Sequence, residues 1–182
     1  MARVLVTGGV RSGKSRYAER LIDPATAATY LTPGYPADTD AEWSARVAAH
    51  QLRRPSTWQT VETLDIATAL TGLAGPVLID CLGTWLTRQV DALGAWEDPD
   101  ATVEAKLEPF AASLLAAIAA YPDPLVIVTN EVGWGVVSEY RAGRIFADHL
   151  GRLNQQVAAV CDDVVLMVAG RPLTLPAGPS LG

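Results

Sequence analysis

The residues best suited to chemistry stand near the start of the chain, where Gly8 and Gly13 frame the spacing G-x-x-x-x-G-K-S. This spacing is typical of a loop that binds nucleotide phosphates. Glycine lets successive N–H groups converge on one anion, and a helix starting at Ser15 adds its positive dipole end. We expect Lys14 to reach the β- and γ-phosphates and the Ser15 hydroxyl to ligate Mg²⁺. The predicted nucleotide-binding residues of this phosphate loop are Gly8, Gly9, Val10, Arg11, Ser12, Gly13, Lys14 and Ser15.

This glycine-rich stretch has one alternative interpretation, a tight turn that binds no ligand. The composition argues against it, because Lys14 is one of only two lysines among fourteen basic residues. The stretch also follows an apolar run at residues 4–6 and precedes a helical pattern, as phosphate loops do.

A second candidate metal ligand, Asp80, ends another apolar run at residues 77–79. A continuous apolar run is typical of a strand that is covered on both faces. A carboxylate at the end of such a strand can stand beside Ser15 and hold Mg²⁺ directly or through water. The alternative is an acid that only caps the following helix. We expect the metal-ligand role.

A predicted helix over residues 41–53 carries the most informative pattern after the phosphate loop. Its charged residues recur every fourth position and share one face, with Arg53 at the edge. Nearby positive charge disfavours imidazolium, so His50 should stay neutral and nucleophilic while Arg46 and Arg53 bind phosphates. The alternative is a solvated charged face with a surface histidine, which the pattern alone favours. The residues at this four-residue spacing are Glu42, Arg46, His50 and Arg54.

Other polar and aromatic residues are less decisive. Asn130 and Glu131 follow an apolar run and either orient substrate and the outer ligands of a metal or form a turn. His149 is expected to be structural, and Trp134 is a candidate wall for a large ligand because glycines flank it. Three arginines are possible phosphate contacts without a spacing argument: Arg88, Arg141 and Arg144.

The elements that must position these residues alternate between strand and helix. This alternation favours one three-layer α/β domain of the P-loop class over residues 1–182, with a mostly parallel sheet. Only a short turn separates the last two strands, which predicts a hairpin and an antiparallel edge strand. The predicted strands are 3–7, 28–32, 58–61, 77–79, 125–129, 164–168 and 172–175. The predicted helices are 14–22, 41–53, 64–73, 84–93, 101–120 and 141–160.

The composition excludes several classes of protein. A formal net charge of -6 argues against a surface that coats nucleic acid, because such a surface is usually basic. No apolar stretch reaches the length of a membrane span, and the chain enters its first strand without a signal peptide, so a cytoplasmic protein is expected. Cys81 and Cys161 lack metal-type spacing and are expected to be reduced thiols.

Several separate stretches together resemble one family, the bifunctional adenosylcobinamide kinase/adenosylcobinamide-phosphate guanylyltransferases of cobalamin biosynthesis. The resemblance runs nearly from end to end, and the combination is far more specific than the phosphate loop alone. The stretches are TGGVRSGKS at 7–15, DxExxxRVxxH at 40–50, RRP at 53–55 before WxTVE at 58–62, DCL at 80–82 before WLT at 85–87, TNEVGWGVV at 129–137, GRLNQ at 151–155 and VAG at 168–170.

The resemblance implies two reactions on one RecA-like scaffold. The family first phosphorylates the aminopropanol hydroxyl of adenosylcobinamide with ATP or GTP. A histidine then attacks the α-phosphorus of GTP and carries GMP as a phosphoramidate. Adenosylcobinamide phosphate removes this GMP and becomes adenosylcobinamide-GDP. The chain matches that histidine at His50, which reverses the preference for a surface histidine.

The remaining functional positions also carry over by resemblance. Lys14, Ser15 and Asp80 match ligands of the triphosphate and of Mg²⁺, and Glu62 matches a position near the nucleotide. Relatives are homotrimers, so a homotrimer is expected. Two other readings of the sequence stay open: a P-loop small-molecule kinase with an inert His50, and a RecA-like ATPase or GTPase whose nucleotide state controls a partner protein.

Overall fold

The computed structural model describes residues 3–34, 55–176 and 178. Seven strands of these residues form one sheet in the order β3-β2-β4-β5-β1-β6-β7. The strands are β1 (Arg3–Gly8), β2 (Thr29–Thr32), β3 (Gln59–Glu62), β4 (Val77–Asp80), β5 (Leu125–Val128), β6 (Asp163–Val168) and β7 (Arg171–Leu175). The predicted helix over 41–53, with Arg46, His50 and Arg53, lies outside the described residues.

Five described helices cover the sheet. They are α1 (Lys14–Arg20), α2 (Ile66–Thr71), α3 (Leu82–Leu93), α4 (Asp100–Ala120) and α5 (Arg141–Val160). The predicted helix over 64–73 is shorter than expected because Asp65 caps α2: its carboxylate accepts the main-chain N–H of Thr68 at 3.0 Å. Gly94 ends α3 in the left-handed conformation, with φ +58°.

All strand pairs are parallel except the last. β1 lies between β5 and β6, and β6 pairs with β7 in the antiparallel direction. The predicted hairpin and antiparallel edge strand are therefore confirmed. Parallel strands place their carboxyl ends at one edge, where ligands of open α/β sheets bind. The phosphate loop, Asp80 and Glu131 all follow strands at this edge.

Side chains of the central strands alternate between two buried clusters, as the period of a strand requires. On one face, Leu5, Ile79 and Ile127 pack with α2, α3, α4 and α5. On the other, Val6 and Leu78 pack with residues of and next to α1. Burial on both faces explains why the central strands are continuous apolar runs in the sequence.

Two sequence predictions concern the state of the cysteines and the presence of membrane-spanning segments. Cys81 and Cys161 are both free thiols, as expected. Among the described residues, no helix combines the length and apolarity needed to cross a membrane.

Candidate nucleotide-binding site

The phosphate loop joins β1 to α1 in a shape that only glycine permits at two points. A Cβ atom on Gly8 would lie 2.7 Å from both the main-chain oxygen of Met167 and the Oγ of Ser12. Gly13 has φ +95° and stands directly before the first residue of α1. The loop is held closed, because Ser12 N–H donates to the oxygen of Gly9 at 3.2 Å and Gly170 N–H donates to the oxygen of Ser12 at 2.9 Å.

Ser12 supplies an observation that favours a bound anion. Its side chain is 8% exposed, and its Oγ has no hydrogen-bond partner within the described residues. A buried hydroxyl without a partner is unfavourable, so such groups are usually satisfied by protein, water or ligand. The hydroxyl is part of the loop that the sequence assigns to phosphate oxygens. The residues present therefore fit a phosphate group.

Lys14 follows the loop and carries its positive charge. Its Nζ donates to the main-chain oxygen of Gly9 at 3.1 Å. Partial burial lowers the pKa of the Lys14 ammonium, and the negative charge of Asp80 opposes this shift. Asp80 is thus close enough for its charge to act on Lys14.

Asp80 ends β4, two strands from β1 in the sheet. Its Oδ2 accepts the hydroxyl of Tyr30 at 2.9 Å. The residue at the helix cap of α3 is Cys81, and no side chain makes a cap hydrogen bond there. The alternative role for Asp80, as a cap of the following helix, is thus not what the structure shows. A partly buried carboxylate and the Ser15 hydroxyl are oxygen ligands of the kind that Mg²⁺ prefers.

Cys81 lies between Asp80 and α3. Burial raises the pKa of its thiol, so the thiol stays protonated at neutral pH. Its Sγ lies 3.4 Å from the Oγ1 of Thr84 and 3.6 Å from the Oδ1 of Asn130. The thiol therefore links the end of β4 to the loop after β5.

Glu131 is tied to the phosphate loop and Asn130 to α5, a placement that the sequence left open. Glu131 N–H donates to the oxygen of Gly8 at 3.0 Å, and the hydroxyl of Thr7 donates to Glu131 Oε2 at 3.3 Å. Asn154 of α5 donates through Nδ2 to the main-chain oxygen of Asn130 at 3.0 Å. The signal in the sequence was their position directly after a buried strand, whereas its pairing with β1 is visible only in the structure.

Glu62 is not brought close to the phosphate loop. It is exposed at the end of the edge strand β3, and four strand spacings, about 19 Å, separate β3 from β1. A role for Glu62 can therefore concern only a part of the ligand remote from the phosphates.

The three arginines proposed as possible phosphate contacts donate instead to main-chain oxygens. Arg88 Nη1 donates to Pro33 at 3.0 Å and to Gly34 at 2.8 Å. Arg141 bonds to the oxygens of Trp96 and Asp98, and Arg144 to those of Ser138 and Glu139. These arginines hold loops, which spacing in the sequence could not reveal.

His149 is buried, as expected of a structural histidine, and its partner comes from another helix. Its Nε2 lies 3.1 Å from Oδ1 of Asp100 in the first turn of α4, at ion-pair distance but without hydrogen-bond geometry. Arg152 Nη2 approaches the same carboxylate at 3.8 Å. The group joins α5 to the start of α4.

Trp134 is separated from the core, unlike two other tryptophans. Its side chain is 75% exposed in the loop after β5, whereas Trp58 and Trp85 are both buried. Its place in a loop that begins at the phosphate site keeps it available for contact with a large ligand.

The glycine cradle between β1 and α1, at the carboxyl edge of a parallel sheet, defines a P-loop nucleotide-binding protein. A solved structure described as a prototypical ATPase from the type III secretion system of pathogenic bacteria shares the fold. It has a TM-score of 0.51 and 16% identity, and the match covers 91% of this chain and 50% of that one. The predicted α/β fold class is confirmed.

Comparison with protein families gives a narrower assignment. The family model described as cobinamide kinase / cobinamide phosphate guanyltransferase matches residues 4–175, and the chain belongs to this family. The bifunctional adenosylcobalamin biosynthesis protein CobU of Salmonella typhimurium is 40% identical over 175 residues, which cover 92% of this chain and 96% of the relative. The protein of the same name from Escherichia coli is 39% identical with the same coverage.

A third relative supports the same assignment. The bifunctional adenosylcobalamin biosynthesis protein CobP of Pseudomonas aeruginosa is 36% identical over 182 residues, covering 97% of this chain and 99% of the relative. The function and enzyme class implied by the resemblance in the sequence are therefore confirmed.

Proposed function

We propose that the chain, acting as one domain over residues 1–182, carries out both reactions of its family in succession at the phosphate loop. The first reaction phosphorylates adenosylcobinamide, and the second transfers GMP to the product through His50. The observation that carries the proposal is a preformed phosphate cradle, with the unpartnered Ser12 hydroxyl inside it, in a chain matched by the family model from residue 4 to 175.

The kinase step needs charge neutralisation more than covalent chemistry from the protein. The acceptor hydroxyl attacks the γ-phosphorus of ATP or GTP, and the bond to the β,γ-bridging oxygen breaks. Main-chain N–H groups of the loop and Lys14 would stabilise the charge on the phosphoryl oxygens. Ser15 and Asp80 would hold Mg²⁺, which supplies further charge neutralisation when it is bound.

The guanylyl step divides a difficult displacement into two. The unprotonated imidazole nitrogen of His50 attacks the α-phosphorus of GTP and releases pyrophosphate. A phosphate oxygen of adenosylcobinamide phosphate then attacks the same phosphorus, which frees His50 and yields adenosylcobinamide-GDP. Arg46 and Arg53 would contact the phosphates, and Glu62 would contact a remote part of the nucleotide. The assignments of His50 and Glu62 rest on matching positions in the family, and those of Arg46 and Arg53 rest on the charge pattern of the predicted helix over 41–53.

Intact mass measurement tests the proposal. Protein incubated with GTP and Mg²⁺ should gain an acid-labile adduct of the mass of GMP, and [α-³²P]GTP should label it while [γ-³²P]GTP should not. The chain has two histidines, so peptide mapping provides an internal control: the label should lie on the peptide of His50 and not on that of His149. His50→Ala should form no adduct.

Other outcomes would favour the alternatives. ATP consumption that depends on cobinamide, without any adduct, would indicate a kinase only. Hydrolysis stimulated by a partner protein, with no small acceptor, would indicate a nucleotide switch. We also propose that the chain forms the homotrimer expected from family resemblance, which mass photometry can test.

A further inference from the structure

We propose that Glu131 is the general base of the kinase step and takes the proton from the acceptor hydroxyl. This inference rests on the proposed function, because it concerns the first of the two reactions. The notable feature is a carboxylate fixed at the mouth of the phosphate loop that neither nucleotide binding nor guanylyl transfer requires.

The main chain fixes Glu131 opposite the first glycine of the loop. β5 lies between β4, which ends at Asp80, and β1, which leads into the loop. Pairing with β1 continues beyond the end of β5, since Thr129 N–H donates to the oxygen of Val6 at 3.0 Å and Glu131 N–H to that of Gly8 at 3.0 Å. Glu131 therefore stands between the proposed metal carboxylate and the phosphate cradle.

The helix behind the sheet reinforces this position. Thr129 Oγ1 donates to Asn154 Oδ1 at 2.6 Å, and Asn154 Nδ2 donates to the oxygen of Asn130 at 3.0 Å. One side chain of α5 thus holds the two residues before Glu131. A base held in this way loses little freedom when the substrate arrives.

The carboxylate itself has one committed oxygen and one available oxygen. Oε2 accepts the hydroxyl of Thr7 at 3.3 Å. Over residues 3–34 and 55–176, Oε1 accepts no hydrogen bond from another side chain or from the main chain. A partly buried carboxylate with one free oxygen is suited to accept a proton from a hydroxyl within reach.

The other described carboxylates at strand ends are less suitable. Asp80 accepts the Tyr30 hydroxyl and is the proposed metal ligand. Glu62 lies on the edge strand, four strands from the phosphate loop.

The proton balance separates the two reactions. In the kinase step the acceptor oxygen forms a bond to the γ-phosphorus, its proton passes to Glu131, and the nucleoside diphosphate leaves with the electrons of the broken P–O bond. Glu131 later releases the proton to solvent. In the guanylyl step the attacking groups are an unprotonated imidazole nitrogen and a phosphate oxygen, neither of which must lose a proton to attack. Only the kinase step therefore needs the base.

Glu131→Gln tests the proposal, because glutamine keeps the size, the main-chain bond to Gly8 and an acceptor for Thr7. We expect cobinamide phosphorylation to fall about 10²- to 10⁴-fold, the usual contribution of a general base. Formation of the GMP adduct from GTP should stay within about threefold of the wild type. Glu139→Gln removes a charge from an exposed position of the same loop and should leave both rates unchanged.

Three results would overturn the assignment or separate it from the proposed function. An unchanged kinase rate in Glu131→Gln excludes the base role. An equal loss in both reactions means that Glu131 acts on the shared nucleotide site instead. A wild type that forms no adduct contradicts the proposed function whatever the variant does.

A second variant controls for an effect of the substitution on folding. If Glu131→Gln has a lowered Tm, Glu131→Asp keeps a carboxylate but withdraws it by one methylene. It should lose kinase rate and keep adduct formation, and equal effects on both reactions would again exclude the base role.

Discussion

Gly8→Ala tests whether the phosphate loop has the shape described. The added Cβ would lie 2.7 Å from the main-chain oxygen of Met167, which pairs with Gly8 across β1 and β6 and therefore cannot move alone. It would also lie 2.7 Å from Ser12 Oγ, and this hydroxyl can move away only if the shape of the phosphate loop changes. The residue has φ +154°, a value that residues with side chains rarely adopt.

The expected loss of stability follows from the steric overlap and from the unfavourable φ. Overpacking at a rigid site costs about 1–3 kcal/mol, and an unfavourable φ about 1 kcal/mol more. The sum, about 2–4 kcal/mol, corresponds to a fall in Tm of about 4–16 °C for a chain of this size. Any relaxation that relieves the contact displaces Ser12 or β6, so nucleotide affinity should fall as well.

Gly9→Ala is the matched control, because a Cβ there meets nothing within 4 Å. Thermal denaturation without nucleotide should show the large loss for Gly8→Ala and a change of less than about 2 °C for Gly9→Ala. Nucleotide titration would then compare affinities. A Gly8→Ala protein with the Tm and nucleotide affinity of the wild type would refute the described loop.

Three further predictions concern charge and capping. Lys14→Met should lower both kinase and adduct-forming rates by about 10²- to 10³-fold, since a fixed donor to the phosphates is lost. Lys106→Met, which removes an exposed contact with Asp98, should leave both rates unchanged. Equal losses of rate in Lys14→Met and Lys106→Met would contradict a phosphate-binding role for Lys14. Asp65→Ala removes the cap of α2 and should lower stability by about 1 kcal/mol, seen as a Tm about 2–4 °C lower at full activity. An unchanged Tm would show that the cap contributes nothing. Hydrogen bonds from Arg3 lower the pKa of Asp162, so its stabilising effect should be present above the ordinary carboxyl pKa and disappear as pH falls through the lowered value. The Tm difference between the wild type and Asp162→Asn should thus exist at pH 7 and close as pH falls below the ordinary carboxyl pKa of about 4, and a difference that persists in strong acid would count against it.

Local patterns predicted most of the fold. The bounds of α5 match the predicted helix over 141–160, because its apolar face repeats with helical period and packs on the sheet. The last hairpin was predictable from its short turn, where Ala169 and Gly170 have positive φ. The strand order was not predictable in detail, because it depends on pairing between distant segments.

The same distinction applies to the site. The phosphate loop is a local motif, so Gly8, Gly13 and Lys14 could be named from spacing alone. The link between Glu131 and Gly8 depends on the pairing of β5 with β1, 123 residues apart in the sequence. For His50 the pattern favoured a surface residue, and only the family resemblance indicated a nucleophile.

The bonds made by arginines to main-chain oxygens were also beyond sequence reasoning. Arg88 reaches Pro33 and Gly34 across 55 and 54 residues of chain. Such contacts depend on where a loop returns in space, which no spacing rule describes.

We expect His50 to carry GMP from GTP to adenosylcobinamide phosphate. The most direct measurement isolates the GMP-bearing protein free of GTP and adds adenosylcobinamide phosphate. If His50 is the carrier, the adduct should disappear as an equal amount of adenosylcobinamide-GDP forms, at a rate no slower than turnover. An adduct that survives, while product forms only after free GTP is restored, would contradict it.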